Sequence, residues 1–381
     1  MQKTDYIYFD NAATTEPCEA AVSSFLKAAA CFGNPSSAHF LGREAAALLE
    51  TAREQLASAI GADSSEIIFT SGGTEANNLA IQGTCEANSS ANEIIISAVE
   101  HPSVFRVCRI LRKKGWHITK IDCGLDGSFD KKALKEAVSD RTALVSFMTV
   151  NNETGTVFPI PEITLTVKNI NPHTLVHTDA VQAFGKTDLS VRASGIDLMS
   201  LSAHKIHGLK GAGALYVKKG TPIYPIEFGG DQESGMRSGT EALPAICAFG
   251  TATEIAVKNI RHSYDDTKKM RQIILTGLRK FENVVINSAP DNFPYILNFS
   301  VKGKKADEIL LAFSDRGICI SKGAACKANH AHGPSMLMSF GIDTDLADNA
   351  LRLSFCENNT PEEAERFLRA ANDIIHRQSP A

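Results

Sequence analysis

The chain has 381 residues, 43% hydrophobic and 22% charged, and its 39 Lys+Arg against 43 Asp+Glu leave a net charge of −4. That length points to two domains, each able to bury its own core. A near-neutral balance with only short basic clusters such as Arg112-Lys113-Lys114 speaks against nucleic acid as the main ligand. No apolar run approaches the ~18 residues of a membrane span and no signal-like start is seen, so no membrane is expected and the expected location is cytoplasmic.

Residues 38–60, rich in Ala, Leu, Glu and Arg, predict a helix. Short β-rich runs follow at Glu66-Ile-Ile-Phe-Thr70, Glu93-Ile-Ile-Ile-Ser97, Trp116-His-Ile-Thr-Lys120, Thr142-Ala-Leu-Val-Ser-Phe147, Thr174-Leu-Val-His177 and Asp197-Leu-Met-Ser-Leu201, several of them separated by helical segments. This alternation predicts a mostly parallel sheet covered by helices on both faces, with ligands gathering at the carboxyl ends of its strands. Residues 243–279 turn strongly helical, and strand, strand, helix, strand, helix then follow at 283–287, 295–301, 306–316, 318–321 and beyond Thr360, an α+β layout. Thr360-Pro361-Glu362-Glu363 is a helix start, with a capping Thr, Pro in the first position and acids in the first turn. The expected division is a large domain over 16–255 and a smaller one over 256–381 together with 1–15.

Nine cysteines with no C-x-x-C pair indicate neither a disulfide scaffold nor a zinc ribbon, and no metal site is expected. Cys108 and Cys319 sit among apolar residues, where a free thiol serves as a small core hydrophobe. Cys326 differs: Ser321-Lys-Gly-Ala-Ala-Cys326-Lys-Ala-Asn is polar, glycine-bearing and flanked by lysines. His330 and His332 nearby read as incidental.

Five segments at strand ends carry chemistry. Thr70-Ser71-Gly72-Gly73-Thr74-Glu75-Ala76-Asn77-Asn78 follows a strand and opens a helix, so free backbone N–H groups, a helix dipole and a hydroxyl surround one point, as in a phosphate cup; it reads equally as a capped Gly-rich turn. Lys205, in Ser202-Ala203-His204-Lys205, stands where an enzyme would hold an aldehyde cofactor as a Schiff base, or is a surface loop lysine. Asp179, in His177-Thr178-Asp179-Ala180-Val181-Gln182, is placed to pair with a pyridinium nitrogen, or to cap a helix. His101, in Glu100-His101-Pro102-Ser103, could stack on a ring and shuttle protons, or simply occupy a turn fixed by Pro102. Asn151-Asn152-Glu153-Thr154-Gly155 is either a turn or a set of polar contacts.

Together with Tyr8-Phe-Asp-Asn-Ala-Ala-Thr-Thr15, Asn34-Pro-Ser-Ser-Ala-His39 with Gly42-Arg43, and Arg237-Ser-Gly-Thr240, these segments resemble in order and spacing the cysteine desulfurases of the NifS/IscS type. The resemblance covers essentially the whole chain. It implies a homodimeric, fold-type I enzyme of the class V aminotransferase family that uses pyridoxal 5'-phosphate (PLP), with a large PLP-binding domain built on a mostly parallel seven-stranded sheet between helices and a smaller α+β C-terminal domain carrying a catalytic cysteine loop. It implies further that Lys205 carries the cofactor, Asp179 faces the pyridinium nitrogen, His101 stacks as acid/base and Gln182 bonds the phenolic oxygen. Gly73, Thr74, Ser202 and His204 would hold the phosphate, with Thr240 contributed by the other subunit, and Asn152 and Arg352 would receive the substrate carboxylate. The implied reaction converts L-cysteine to L-alanine and leaves a persulfide on Cys326 for a sulfur-acceptor or scaffold protein, in iron–sulfur cluster assembly or thiolation. Rivals are a selenocysteine lyase, another PLP-dependent C–S lyase or aminotransferase, or a sulfur-relay scaffold that does not use PLP.

The chain departs from the family pattern in places. Around Cys326 it has Ala324 and Lys327-Ala328 where serines are usual, Leu209 replaces a proline after the lysine, and Met336 replaces a His or Tyr. Beyond Arg352 the usual Ser-x-Gly-Arg becomes Ser354-Phe355-Cys356-Glu357, exchanging a glycine for a thiol and a base for an acid.

Overall fold

A computed structural model describes residues 6–88, 90–322 and 336–376. Its strands, in chain order, are β1 (Ile7–Tyr8), β2 (Ile67–Thr70), β3 (Glu93–Ser97), β4 (His117–Ile121), β5 (Thr142–Ser146), β6 (Leu175–Asp179), β7 (Leu198–Ser202), β8 (Gly213–Val217), β9 (Val284–Ile286), β10 (Ile296–Val301), β11 (Ile318–Cys319), β12 (Ser321–Lys322) and β13 (Ala350–Ser354). The helices are α1 (Glu19–Ala30), α2 (Phe40–Ile60), α3 (Gly73–Ala87), α4 (Pro102–Lys113), α5 (Lys131–Ala137), α6 (Ile160–Ile170), α7 (Val191–Ser194), α8 (Leu243–Leu278), α9 (Ala306–Ser314), α10 (Met336–Ser339), α11 (Thr344–Asp348) and α12 (Pro361–His376).

Seven strands form one sheet in the order β2-β8-β7-β6-β5-β3-β4. All pairs are parallel except those of β8, which runs against both β2 and β7. The six other strands therefore point the same way and deliver their carboxyl ends to one edge, the ligand-binding edge of open α/β sheets. β5, β6 and β7 are buried along their whole length, as strands covered on both faces must be. His177 crosslinks these three: its Nδ1 lies 2.8 Å from Ser146 Oγ and its Nε2 3.0 Å from Ser200 Oγ. Complete burial pushes its pKa down to about 4, so the ring joins the strands as a neutral group.

The second layered unit is a four-stranded sheet, β12-β13-β10-β9, antiparallel throughout and packed with α8, α9 and α12 around Phe299, Phe313, Leu353 and Phe367. α8 serves both cores. Its first turns place Ile246, Ala248 and Phe249 against the large sheet, and its last place Met270, Ile274 and Leu278 against the small one. The start of α12 is capped reciprocally, Glu363 N–H donating to Thr360 Oγ1 and Thr360 N–H to Glu363 Oε2.

The structure adds elements that the pattern did not mark. β8 begins at Gly213, where a Cβ would lie 2.5 Å from Gly72 Cα, so a glycine there reflects close backbone approach rather than a loop. Cys319 corrects the expectation of a core thiol: in the two-residue strand β11 the alternation turns Ile318 inward and leaves Cys319 exposed. Among the described residues, no helix is long and apolar enough to cross a membrane.

Candidate active site

The carboxyl edge of the large sheet gathers the residues singled out above. β7 ends at Ser202, and a single 3₁₀ turn, Ala203–Lys205, swings Lys205 over the edge. Its Nζ donates to the carbonyls of Ala12 (2.6 Å) and Ala13 (2.7 Å), and Gln182 Nε2 donates to the same Ala12 oxygen at 2.9 Å. The chain's N-terminal segment thus brings the lysine and the glutamine together. Burial, with Arg352 and Lys186 adding positive charge nearby, pulls the Lys205 ammonium down to about 7, so an appreciable share is neutral amine near neutral pH.

Asp179, the last residue of β6, accepts from Val181 N–H at 3.0 Å and from Asn77 Nδ2 at 2.7 Å. The same Asn77 amide donates to Ser103 Oγ at 2.8 Å, and Ser103 Oγ lies 2.7 Å from His101 Nδ1. Ser103 N–H also donates to Nδ1, so that nitrogen is an acceptor and the proton of the neutral ring sits on Nε2. Burial lowers the His101 pKa, Asp179 opposing and Lys205 and Arg106 reinforcing the shift. A four-member relay, His101–Ser103–Asn77–Asp179, therefore orients ring and carboxylate as one unit. The sequence motifs assign Asn77 and Ser103 no role; a polar residue on the buried face of a helix beside Ala76, Leu79 and Ala80 is the signal that marks Asn77.

Glu100 likewise has no role assigned by the sequence motifs. It is fully buried, with Oε1 accepting from Ser97 Oγ (2.6 Å) and Met148 N–H (2.8 Å) and Oε2 lacking a hydrogen-bond partner. Burial raises its pKa to about 8, the negative charge of Asp179 contributing, so at neutral pH the acid stays mostly protonated.

α3 opens at Gly73, whose space is required: a Cβ there would meet Val181 Cγ2 at 2.6 Å, with Ser202 Cβ at 3.7 Å. The helix N-terminus therefore lies beside Ser202 and the Asp179–Gln182 turn. Thr74 follows in the first helical turn, and Glu75, which accepts from Ser71 N–H and from Arg237 Nε at 2.9 Å, ties in the segment leading to Thr240, itself exposed. His204 lies 3.2 Å from Thr14 Oγ1, and burial with Lys205, Lys210 and Lys186 nearby pushes its pKa down to about 4.

Arg352, on β13, is 4% exposed; Nη1 donates to the Asn152 carbonyl at 2.9 Å and Nη2 to Asp10 Oδ1 at 3.0 Å, with Glu153 Oε1 3.5 Å from Nη1. Asn152 meets it through its backbone, while its side-chain Oδ1 has no hydrogen-bond partner. Asn151 Oδ1 organises the turn that carries them, accepting from Glu153 N–H and Thr154 N–H. Cys326 lies outside the described residues.

The residues present fit PLP. Two buried acceptors or donors at this edge, Ser202 Oγ and Gln182 Oε1, lack a hydrogen-bond partner, and they lie with a cleared helix N-terminus, a carboxylate and a partly neutral lysine. The description of the aminotransferase class-V family matches residues 7–367. A cysteine desulfurase of Nostoc sp. is 37% identical over 97% of this chain and 93% of its own length. A solved NifS-like protein superposes with a TM-score of 0.92 at 35% identity, covering 97% of this chain and 99% of that one. A structure described as SspA in complex with cysteine gives 0.80 at 32% identity, covering 93% of this chain and 100% of its own. With its sheet, its edge residues and these matches in agreement along nearly its whole length, the chain belongs to the aminotransferase class-V family.

Proposed function

We propose that the protein is a PLP-dependent cysteine desulfurase that converts L-cysteine to L-alanine and leaves a persulfide on Cys326. The convergence of Lys205, Gln182 and the Asp179–Asn77–Ser103–His101 relay at one sheet edge, in a chain 37% identical to a cysteine desulfurase, carries this reading.

In this reading Lys205 carries the cofactor, Asp179 faces its ring nitrogen, Gln182 its phenolic oxygen and His101 its face. Gly73, Thr74, Ser202 and His204 surround its phosphate at the start of α3, with Thr240 supplied by a second subunit. PLP, when bound, supplies an electron sink for the charge left as the substrate's Cα–H bond breaks. The chain's own residues do the rest. Lys205, titrating near neutrality, is able to take up and return a proton at working pH. His101 presents its Nε2–H with Nδ1 pinned by Ser103, a fixed donor rather than a rotating one. Arg352 already engages a carboxylate, that of Asp10, so its guanidinium is suited to a substrate carboxylate, with the Asn152 amide alongside. The Cys326 thiolate attacks the substrate sulfur; an S–S bond forms, the C–S bond breaks, and the carbon keeps that electron pair, becoming alanine after protonation. The cysteine bound in the SspA structure supports this substrate class. We read the protein as a cytoplasmic homodimer passing its persulfide sulfur to an acceptor or scaffold protein.

The test is alanine release and persulfide formation from L-cysteine with added PLP and reductant. Wild type is expected to form both, and Cys326→Ser to fall to background in both. Alanine or pyruvate formation indifferent to that exchange would sink the sulfur-transfer reading and leave a different PLP-dependent reaction.

A further inference from the structure

Three metal-ligating side chains from distant parts of the sequence meet beside the candidate active site. His207 lies two residues past Lys205, and Cys356 and Glu357 follow β13; the His nitrogen, the Cys sulfur and a Glu oxygen all fall within 4.8 Å of one another. We propose that His207, Cys356 and Glu357 form a binding site for a zinc-class divalent cation. The site is independent of the desulfurase reading, since neither PLP nor Cys326 takes part in it.

The orientation of His207 carries the argument. Its Nδ1 lies 2.8 Å from the Glu16 carbonyl oxygen, which can only accept, so Nδ1 donates there and Nε2 is the nitrogen that faces Cys356 and Glu357, where a bound cation would take the place of its proton. Nε2 in turn faces Glu357 Oε1 at 3.7 Å. Metal-ligating histidines have this arrangement: the second nitrogen donates to a backbone carbonyl and thereby fixes tautomer and ring plane. The backbone is held as firmly. His207 has φ +62°, a conformation that side chains other than glycine rarely adopt, and its N–H donates to Thr15 Oγ1 at 2.7 Å.

The donor set of one thiolate, one imidazole and one carboxylate suits a borderline cation of the zinc class rather than calcium or magnesium. The burial is graded. Cys356 is buried and the His207 side chain is 14% exposed, whereas that of Glu357 is 33% exposed, so the carboxylate side faces solvent. Three protein ligands with one open side leave a fourth position for water. Lys186, buried with its Nζ 5.5 Å from the centre of the Tyr295 ring, is packed close enough to Cys356 and Glu357 to interact with both, and would share the balancing of their charge with the cation.

Cobalt(II) titration of the PLP-loaded protein, followed by its near-ultraviolet thiolate-to-cobalt charge-transfer band and by competition with zinc, tests the proposal. Wild type is expected to bind a single equivalent per chain with that band. The band should survive Cys326→Ser and disappear in Cys356→Ser, and His207→Gln should abolish stoichiometric binding. Unchanged PLP absorbance and melting temperature confirm that a variant has folded; Glu357→Gln, at the exposed side, provides a further variant expected to weaken binding. A titration that saturates nothing in wild type, or a band lost in Cys326→Ser and kept in Cys356→Ser, overturns the site.

Discussion

Glu100 is an acid that folding keeps protonated. Its pKa rises from the ordinary carboxylate range to about 8, so between roughly pH 4.5 and 8 the folded chain holds a proton that the unfolded chain has released. Stability therefore falls as pH rises through that window and levels off above it. Glu100→Gln removes the titration while nearly preserving shape. The melting-temperature difference between Glu100→Gln and wild type is expected to shift in favour of the variant from pH 5.5 to pH 8 and then to stay constant; a difference that does not change with pH would show that Glu100 is ionised in the fold.

At the scale of elements, α3 depends on an absent side chain. Its first residue, Gly73, stands against Val181, and Gly73→Ala forces that β-branched side chain or the helix to move. Overpacking of this kind costs about 1–3 kcal/mol. Gly73→Ala is expected to lower the melting temperature and to weaken PLP uptake, read from cofactor absorbance during titration; unchanged uptake would remove the helix start from the cofactor site. Much at this scale was legible in the sequence, because a strand end, a glycine and a capping hydroxyl are local signals. Glu93–Ser97, Thr142–Ser146 and α8 could be read from their own composition. What escaped depends on remote partners. Asn77 acquires its meaning from Asp179, 102 residues away, and β8 from strands on both its sides. Cys319 reads as apolar from its neighbours, yet lies on the outward position of a short edge strand. His207, Cys356 and Glu357 have no motif spacing to betray them.

For the whole molecule, the N-terminal segment is the fastening. Asn11 donates to the carbonyls of Tyr8 (3.2 Å) and Ser354 (3.0 Å), Ala12 N–H donates to Ser354 Oγ, Asp10 holds Arg352, and the Ala12 and Ala13 carbonyls receive Lys205. One stretch thus ties the edge of the large sheet to the small sheet. Asn11→Ala removes these two side-chain hydrogen bonds, while Asn359 Nδ2 still donates to the Tyr8 carbonyl and the residue-11 N–H to that of Ser354, a loss of about 1–3 kcal/mol for the two bonds together. It is expected to lower stability by that amount and to speed limited proteolysis near Lys205 and Arg352 together; cleavage enhanced at neither place would show that the two regions do not depend on this stretch.

The same fastening sets an order of events. β1 pairs with β11, so Ile7 waits for Ile318. At the roughly 5–20 residues added per second during synthesis, that partner follows by tens of seconds. Until then the carbonyls destined for Lys205 have no strand to anchor them. A ribosome-bound chain stopped short of β11 has all seven strands of the large sheet, yet it holds a lysine whose seat has not been assembled, and the geometry of the edge is withheld until β11 has emerged.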